Sequence, residues 1–249
     1  MLCELLKKEK LTEDVYDFTI FCPKMAEKTK PGQFLHILCG GDAYLRRPIS
    51  VCEVVDKKAL RFIFSVKGKG TTALAEKNVG DTIDVLGPLG NGFDIIDGND
   101  RVLLVGGGIG IFPLLEVAKH LGKRANVILG FRSKENMMLI EDFEKYAENI
   151  FVATDDGSCG YKGFVTDLLK KIAESNKISQ IYICGPTPMM RAASAVAGEF
   201  GIPAQVSLEE RMGCGIGACV TCACTVAGQR KRVCKDGPVF NASEVEWDG

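Results

Sequence analysis

The chain has 249 residues, enough for two compact domains with an appendage, and 31 Lys and Arg stand against 32 Asp and Glu for a formal net charge of −1. That balance argues against a nucleic-acid partner, which selects for a basic surface. Eleven cysteines are an odd number, and Met1-Leu2-Cys3-Glu4-Leu5-Leu6-Lys7-Lys8 has no apolar stretch of signal-peptide length, so reduced thiols and a cytoplasmic location are expected.

Residues 1–97 read as strands separated by turns, at 15–21, 32–38, 48–55, 60–66 and 81–86, with little helical periodicity between them. A small antiparallel β-barrel is expected. Within it, Leu45-Arg46-Arg47-Pro48-Ile49-Ser50 precedes one strand, and Val66-Lys67-Gly68-Lys69-Gly70-Thr71-Thr72 follows another. A guanidinium beside a hydroxyl suits a pyrophosphate, and Gly70, Thr71 and Thr72 at a helix start would add N–H donors. Taken alone, the two arginines could equally be a solvated loop pair.

From residue 98 the pattern changes to apolar runs of strand length alternating with amphipathic helices, with strands at 102–105, 127–129, 150–153, 181–184 and 204–208. Such alternation predicts a doubly wound parallel sheet covered by helices on both faces. The longest apolar run, 102–118, holds four glycines, a proline and a glutamate and falls short of the ~20 apolar residues of a spanning helix. No membrane segment is expected.

The first strand of this unit leads into Gly106, Gly107, Gly108 and Gly110, where a nucleotide pyrophosphate would rest on a helix N-terminus. Ile111 stands where the third glycine of the usual fingerprint belongs, so a tight turn without ligand is the alternative. Thr154-Asp155-Asp156-Gly157-Ser158 and Cys184-Gly185-Pro186-Thr187-Pro188 fall at the carboxyl ends of later strands, where ligands of parallel sheets sit. Cys184 would face a nicotinamide, or else be an ordinary buried cysteine. No acidic residue closes the second strand. Phe131-Arg132-Ser133 stands there, and the arginine alone leans toward a 2′-phosphate.

The tail, 209–249, is expected as a third unit. Cys214, Cys219, Cys222 and Cys234 follow the C-x4-C-x2-C spacing with a lone fourth cysteine, the ligand pattern of a plant-type [2Fe-2S] cluster. Gly213, Gly215 and Gly217 would supply positive φ and turn backbone N–H groups toward the sulfurs. Structural zinc usually shows two close pairs and remains the alternative. Cys224 is a fifth thiol, expected to be packed rather than ligating.

Together these parts resemble the ferredoxin-NADP reductase-like flavoproteins, whose barrel binds FAD through Arg-x-Tyr-Ser/Thr and whose second domain binds a nicotinamide nucleotide. Arg47-Pro48-Ile49-Ser50 occupies that motif here, with Ile49 in place of tyrosine. Within the family, Leu45 to Ser50, Gly68-Lys69-Gly70-Thr71, Cys184-Gly185-Pro186, Glu209 to Cys219 and Val233 to Phe240 resemble the electron-transfer subunits of NAD-linked, type B dihydroorotate dehydrogenases. The resemblance runs the length of the chain. It implies FAD held by Arg47, Pro48, Ile49, Ser50, Phe64, Ser65, Val66, Gly70, Thr71 and Thr72. It also implies NAD held by Gly106, Gly107, Gly108, Gly110, Asp155, Gly185 and Pro186, with Cys184 at the reacting ring. A catalytic partner carrying FMN, two of each chain, would oxidise dihydroorotate. Related possibilities are the flavin and iron–sulfur subunit of a sulfhydrogenase or a ferredoxin-NADP transhydrogenase; a zinc-stapled nucleotide sensor is the non-enzymatic one.

The chemistry agrees with that order. A nicotinamide exchanges a hydride and a cluster passes single electrons, so a flavin, which does both, belongs between them. No stretch offers a site for an organic substrate, since His36 and His120 are the only histidines. His120 is expected to cap a helix end, and His36 to be core. The loop 227–232 between the third and fourth ligands, with three cations, is either the partner contact or a solvated hairpin tip whose charges only keep it soluble.

Overall fold

Along the N-terminal strands side chains alternate between a shared interior and the outside, and the strands close on themselves. The computed structural model describes residues 1–249 except Asp42, Asn176, Asp248 and Gly249. β1 (Leu2–Lys10), β2 (Val15–Phe21), β3 (Phe34–Leu38), β4 (Arg47–Val55), β5 (Ala59–Ser65) and β6 (Thr82–Leu89) form a closed antiparallel barrel in the order β1-β2-β5-β4-β3-β6. Two short helices, α1 (Pro23–Ala26) and α2 (Lys69–Ala75), interrupt the strands. Leu5, Phe18, Ile20, Leu35, Ile37, Phe62 and Ile83 fill the interior, with Phe18 and Phe64 edge to face at 5.1 Å. Truncating a ring so enclosed costs about 3–5 kcal/mol. Sequence reasoning missed β1 because its outer side is Glu4, Lys7, Lys8, Glu9 and Lys10; only Cys3 and Leu5 turn inward.

In the second region the expected parallel sheet is present. β7 (Val102–Gly107), β8 (Ala125–Phe131), β9 (Asn149–Thr154), β10 (Tyr161–Lys162), β11 (Gln180–Cys184) and β12 (Ala204–Ser207) lie in the order β10-β9-β8-β7-β11-β12. β7 to β9 run outward to one side and β11 and β12 to the other, so the order reverses between β7 and β11. That reversal opens the crevice in which ligands of such sheets bind. Of the covering helices α3 (Phe112–Leu121), α4 (Ile140–Glu144), α5 (Val165–Ser175) and α6 (Thr187–Glu199), the last two bury Val165, Leu169, Met190 and Ala193 against Leu103, Val105 and Ile183. His120 ends α3 with its Nδ1 2.8 Å from the Glu116 carbonyl oxygen.

The tail adds a hairpin, β13 (Ala223–Val226) with β14 (Gln229–Arg232), and β15 (Val239–Asn241), which pairs antiparallel to β12 and covers that edge of the sheet. The chain divides into two compact units. One holds 1–92, 209–224 and 231–238, the other 93–208, 225–230 and 239–249. The tail is therefore shared between them, and its edge strand had no signal of its own because β15 is three residues long. No described helix is long and apolar enough to cross a membrane.

Candidate functional site

In the barrel unit, Arg47 opens β4 and its side chain lies along the first turn of α2. A Cβ on Gly70 would stand 3.1 Å from Arg47 Nε and 3.2 Å from Nη2, so a side chain there would crowd the guanidinium. Arg47 Nη1 donates to the Leu45 carbonyl at 2.6 Å. The turn into α2 is closed by Thr71, whose hydroxyl accepts the N–H groups of Lys67 (2.9 Å) and Gly68 (3.2 Å), while the Thr72 hydroxyl donates to the Gly68 carbonyl (3.2 Å). A guanidinium and a helix start thus share one place, a donor arrangement that fits a diphosphate.

Arg46 is not part of it. Its Nη2 donates to Asp84 Oδ2 at 2.8 Å and its Nη1 to the Asp84 and His36 carbonyls at 3.0 and 3.3 Å. That guanidinium holds the Asp84 carboxyl below the usual carboxylate range. Of the arginine pair weighed for a phosphate, only Arg47 has a side chain turned toward α2. Ile49 and Phe64 are buried in the barrel interior, so neither can lay its side chain on a flavin. Val66 already donates its N–H to the Asp14 carbonyl at 2.7 Å. Pro48 and Ser50, in the first half of β4, and Ser65, at the end of β5, are half-buried.

The cysteine loop belongs to the same unit. Its four expected ligands stand as two pairs. Cys219 Sγ is 3.4 Å from Cys214 Sγ, and Cys222 is within hydrogen-bonding reach of Cys234. Backbone N–H groups of Ala218 (3.2 Å) and Cys219 (3.3 Å) donate to Cys214 Sγ, and that of Gly217 (3.2 Å) to Cys234 Sγ. Gly215 (φ +71°) and Gly217 (φ +79°) are in the left-handed region that turns these N–H groups inward; Gly213, expected to join them, is not.

These donors set the acidities. The Cys219 N–H lowers the Cys214 thiol, and the Thr221 hydroxyl, donating at 3.4 Å, leads the effects that bring Cys219 down to about 6. Burial pushes Cys234 up to about 12 and Cys224 up to about 11, so acidity does not separate ligand from bystander. Pairing does, because Cys234 faces Cys222 and receives the Gly217 N–H. Among the described residues no three His, Cys, Asp or Glu side chains converge as on one mononuclear ion. Two thiol pairs ringed by N–H donors fit a [2Fe-2S] centre, which takes two protein ligands on each iron.

Around the loop the sequence had left a clasp unread. Arg232 Nη1 donates to the Gly217 carbonyl at 2.9 Å, and its backbone N–H and Nε reach Asp236 Oδ2 at 2.8 and 3.2 Å. Asn91, at the barrel's exit, donates its N–H to the Gly237 carbonyl (2.6 Å) and its Nδ2 to that of Asp236 (3.0 Å). These contacts fix Cys234 against the first loop. The i, i+4 spacing of Arg232 and Asp236 was a readable signal, but Arg232 was read only as one of the three cations of loop 227–232.

In the sheet unit, Cys184 ends β11 directly beside Gly106 at the end of β7. A Cβ on Gly110 would overlap the backbone of Cys184 and Gly185, and one on Gly107 would overlap Met189 Sδ. Gly108 (φ +55°) has nothing within 4 Å of its Cβ position. All seven expected nucleotide residues lie at carboxyl ends of strands: Gly106 and Gly107 closing β7 with Gly108 and Gly110 just beyond it, Gly185 and Pro186 after β11, and exposed Asp155 after β9. Cys184 is half-buried, its Sγ 4.0 Å from the Ser207 carbonyl. Arg132 is exposed after β8.

Comparison with known proteins bears on both regions. A family model described as the iron-sulfur cluster binding domain of dihydroorotate dehydrogenase B matches residues 209–246, and one for the oxidoreductase NAD-binding domain matches 104–195. Proteins named dihydroorotate dehydrogenase B (NAD(+)), electron transfer subunit, from Geobacillus kaustophilus and Bacillus caldolyticus, are each 46% identical over 247 residues, covering 94% of this chain and 94% of the relative. A solved structure described as an NADH-dependent reduced ferredoxin-NADP oxidoreductase, studied for flavin-based electron bifurcation, matches with a TM-score of 0.89 at 39% identity. That likeness covers 99% of this chain and 90% of the other.

Proposed function

The chain belongs to the family of electron transfer subunits of NAD-linked dihydroorotate dehydrogenase B, and on that premise we propose which of its residues carry electrons to NAD. It is an oxidoreductase subunit of pyrimidine biosynthesis that works with FAD, a [2Fe-2S] cluster and NAD, beside a partner catalytic subunit. When bound, the cluster supplies single-electron exchange, the nicotinamide hydride exchange, and the flavin both.

Cys214 with Cys219, and Cys222 with Cys234, would hold the two irons. The N–H groups of Gly217, Ala218 and Cys219 stabilise the thiolates. Arg47, seated by Gly70 at the start of α2, would bind the FAD diphosphate, with Pro48, Ile49, Ser50, Phe64, Ser65, Val66, Thr71 and Thr72 shaping the rest. For Ile49 and Phe64 that means backbone only. Gly106, Gly107, Gly108, Gly110, Asp155, Gly185 and Pro186 would hold NAD, and Cys184 would stand against its ring. Functionally, we divide the chain at 1–97 for FAD, 98–208 for NAD and 209–249 for the cluster.

The partner would carry FMN and oxidise dihydroorotate, with two copies of each chain in the assembly. It docks where electrons cross, at the cysteine loop. Ile216 and Val220, 55% and 68% exposed between the ligands, offer apolar contact there, and Arg230 and Lys231 offer charge. Arg232 is withdrawn from that role by its bonds to Asp236 and Gly217.

The observation that carries this reading is the two thiol pairs under inward N–H donors. The test is purification of the chain with its partner. A brown protein with two irons and two sulfides per cluster segment that reduces NAD with dihydroorotate supports it; a colourless one overturns it. The 39% identity to the ferredoxin-NADP oxidoreductase chain supports a second reading, a flavin and iron–sulfur subunit serving ferredoxin. Reduction of ferredoxin, with no dihydroorotate turnover by the complex, would favour that one.

A further inference from the structure

His36 sits on β3 between Leu35 and Ile37, both of which fill the barrel interior. The alternation of a strand therefore turns His36 outward. An outward side chain on a barrel is ordinarily wet, yet His36 is 1% exposed. What covers it is the cysteine loop, for a Cβ on Gly215 would overlap the imidazole at Nδ1. The backbone of Cys214 lies near enough to act on the ring. Neither Nδ1 nor Nε2 makes a hydrogen bond of good geometry, which is costly for a group so buried unless something else supplies the partner.

The same residue touches the other cofactor segment. His36 pairs across the barrel with Pro48, inside Arg47-Pro48-Ile49-Ser50, and its carbonyl accepts from Arg46 Nη1. One residue thus joins the segment read as FAD-binding to the loop read as cluster-binding, both within one compact unit.

We propose that His36 is a positioning residue for the iron–sulfur centre, its imidazole seating the Cys214-Gly215-Ile216-Gly217 turn and its unpartnered ring nitrogen polarising that turn once the cluster is in place. The inference rests on the ligand set proposed above. Hydrogen-bond donors and dipoles near cluster sulfurs raise the reduction potential because they stabilise the added electron. An imidazole in contact with Gly215 does this by its ring dipole and by fixing the loop whose N–H groups reach Cys214 and Cys234. Gly215 is glycine for two reasons, its φ of +71° and the ring that occupies its side-chain space.

The experiment uses the cluster-loaded chain with its partner and compares wild type with His36→Leu and His36→Gln. The readouts are the cluster's midpoint potential, by titration monitored in the visible, and the EPR spectrum of the reduced protein. The leucine variant should shift the potential to more negative values, by about tenfold in the one-electron equilibrium, which corresponds to ~59 mV. Glutamine, which keeps an N–H donor, should recover at least half of that shift. A wild-type potential and spectrum in both variants would make the ring mere filling and overturn the proposal, as would equal shifts in both.

Should the leucine variant lose its cluster, Gly215→Ala is compared in the wild-type and His36→Ala backgrounds by iron and sulfide content. Milder cluster loss in the second background supports the seating contact, and equal loss in both refutes it. A wild-type chain without iron would instead remove the ligand reading itself.

Discussion

In the cysteine loop Gly215 and Gly217 stand at φ +71° and +79°, whereas in the glycine-rich stretch from the end of β7 to Gly110 only Gly108 is in that region, at +55°. There Gly106, Gly107 and Gly110 are glycine because neighbouring atoms fill the space of a side chain: Ile111 and Leu114 for the first, Met189 for the second, the Cys184 and Gly185 backbone for the third. The two loops are alike in composition and differ in cause. One needs its glycines for dihedral angles that aim N–H groups at sulfur, as well as for the space that His36 and Lys235 fill beside them. The other spends them on close packing of two strand ends, so its richness in glycine would exist without any ligand. What supports the nucleotide site proposed there is its place beside the reversal of strand order between β7 and β11.

The comparison breaks first at the ligands, where the largest effect is expected. Serine at Cys214, Cys219, Cys222 or Cys234 should abolish or greatly weaken the visible absorption of the cluster, because hard oxygen replaces a soft thiolate. Cys224→Ser should keep the colour. Iron content with an absorption spectrum checks all five, and a bleached Cys224→Ser beside a coloured Cys222→Ser would reverse the assignment.

The next test separates packing from dihedral strain in the loop after β7. Gly110→Ala drives a Cβ into backbone that cannot swing aside, for a cost of about 3 kcal/mol. Gly108→Ala meets open space and pays only for its φ, about 1–2 kcal/mol. Thermal unfolding should therefore show Gly110→Ala as the less stable, by roughly 2–4 °C per kcal/mol of difference. Equal melting temperatures would mean that the loop is not held as described.

A third contrast lies between adjacent arginines. Arg47→Ala should weaken FAD retention by roughly 10- to 100-fold, the worth of charge-assisted bonds of about 1.5–3 kcal/mol. Arg46→Ala should instead lower the melting temperature, since it removes the Asp84 ion pair and leaves two part-buried carbonyls without this donor. Flavin fluorescence released on dilution and a thermal scan measure the two. Flavin lost from Arg46→Ala at a wild-type melting temperature would exchange their roles.

How far the sequence was readable follows the same division. The four cysteines that the fold brings together as two pairs were legible because thiolates at fixed spacing serve few purposes, and the parallel strands because buried strands are continuously apolar. Arg46 and Arg47 were not separable: each is a cation before Pro48, and only Asp84, far along the chain, shows which one is engaged. Gly110 was read only as a nucleotide contact, because nothing local reveals that the Gly185 backbone also fills its side-chain space. His36 was expected as core and is indeed buried, but under the cysteine loop rather than in the barrel, a distinction that depends on contacts across most of the chain. β1 escaped notice because charge on its outer face hid the alternation of Cys3 and Leu5.

The smallest expected effect concerns the hairpin tip between β13 and β14. Three cations stand there in sequence, but Arg232 is bound to Asp236 and Gly217, which leaves exposed Arg230 and half-buried Lys231 to meet a partner. Charges at the rim of an interface steer encounter more than they hold the complex, and exposed pairs are worth only ~0.2–1 kcal/mol. Reversal of both to glutamate should leave NADH-to-dye reduction by this chain as it is, and should slow dihydroorotate-to-NAD transfer at low salt by several-fold. The deficit should shrink as salt rises, because screening removes the repulsion together with the attraction. Arg232→Glu should behave differently, loosening the Cys234 turn and costing cluster content at every ionic strength. If the double reversal transfers electrons at the wild-type rate in low salt, the hairpin tip lies outside the interface, and the exposed Ile216 and Val220 beside the ligands are left as the contact to mutate.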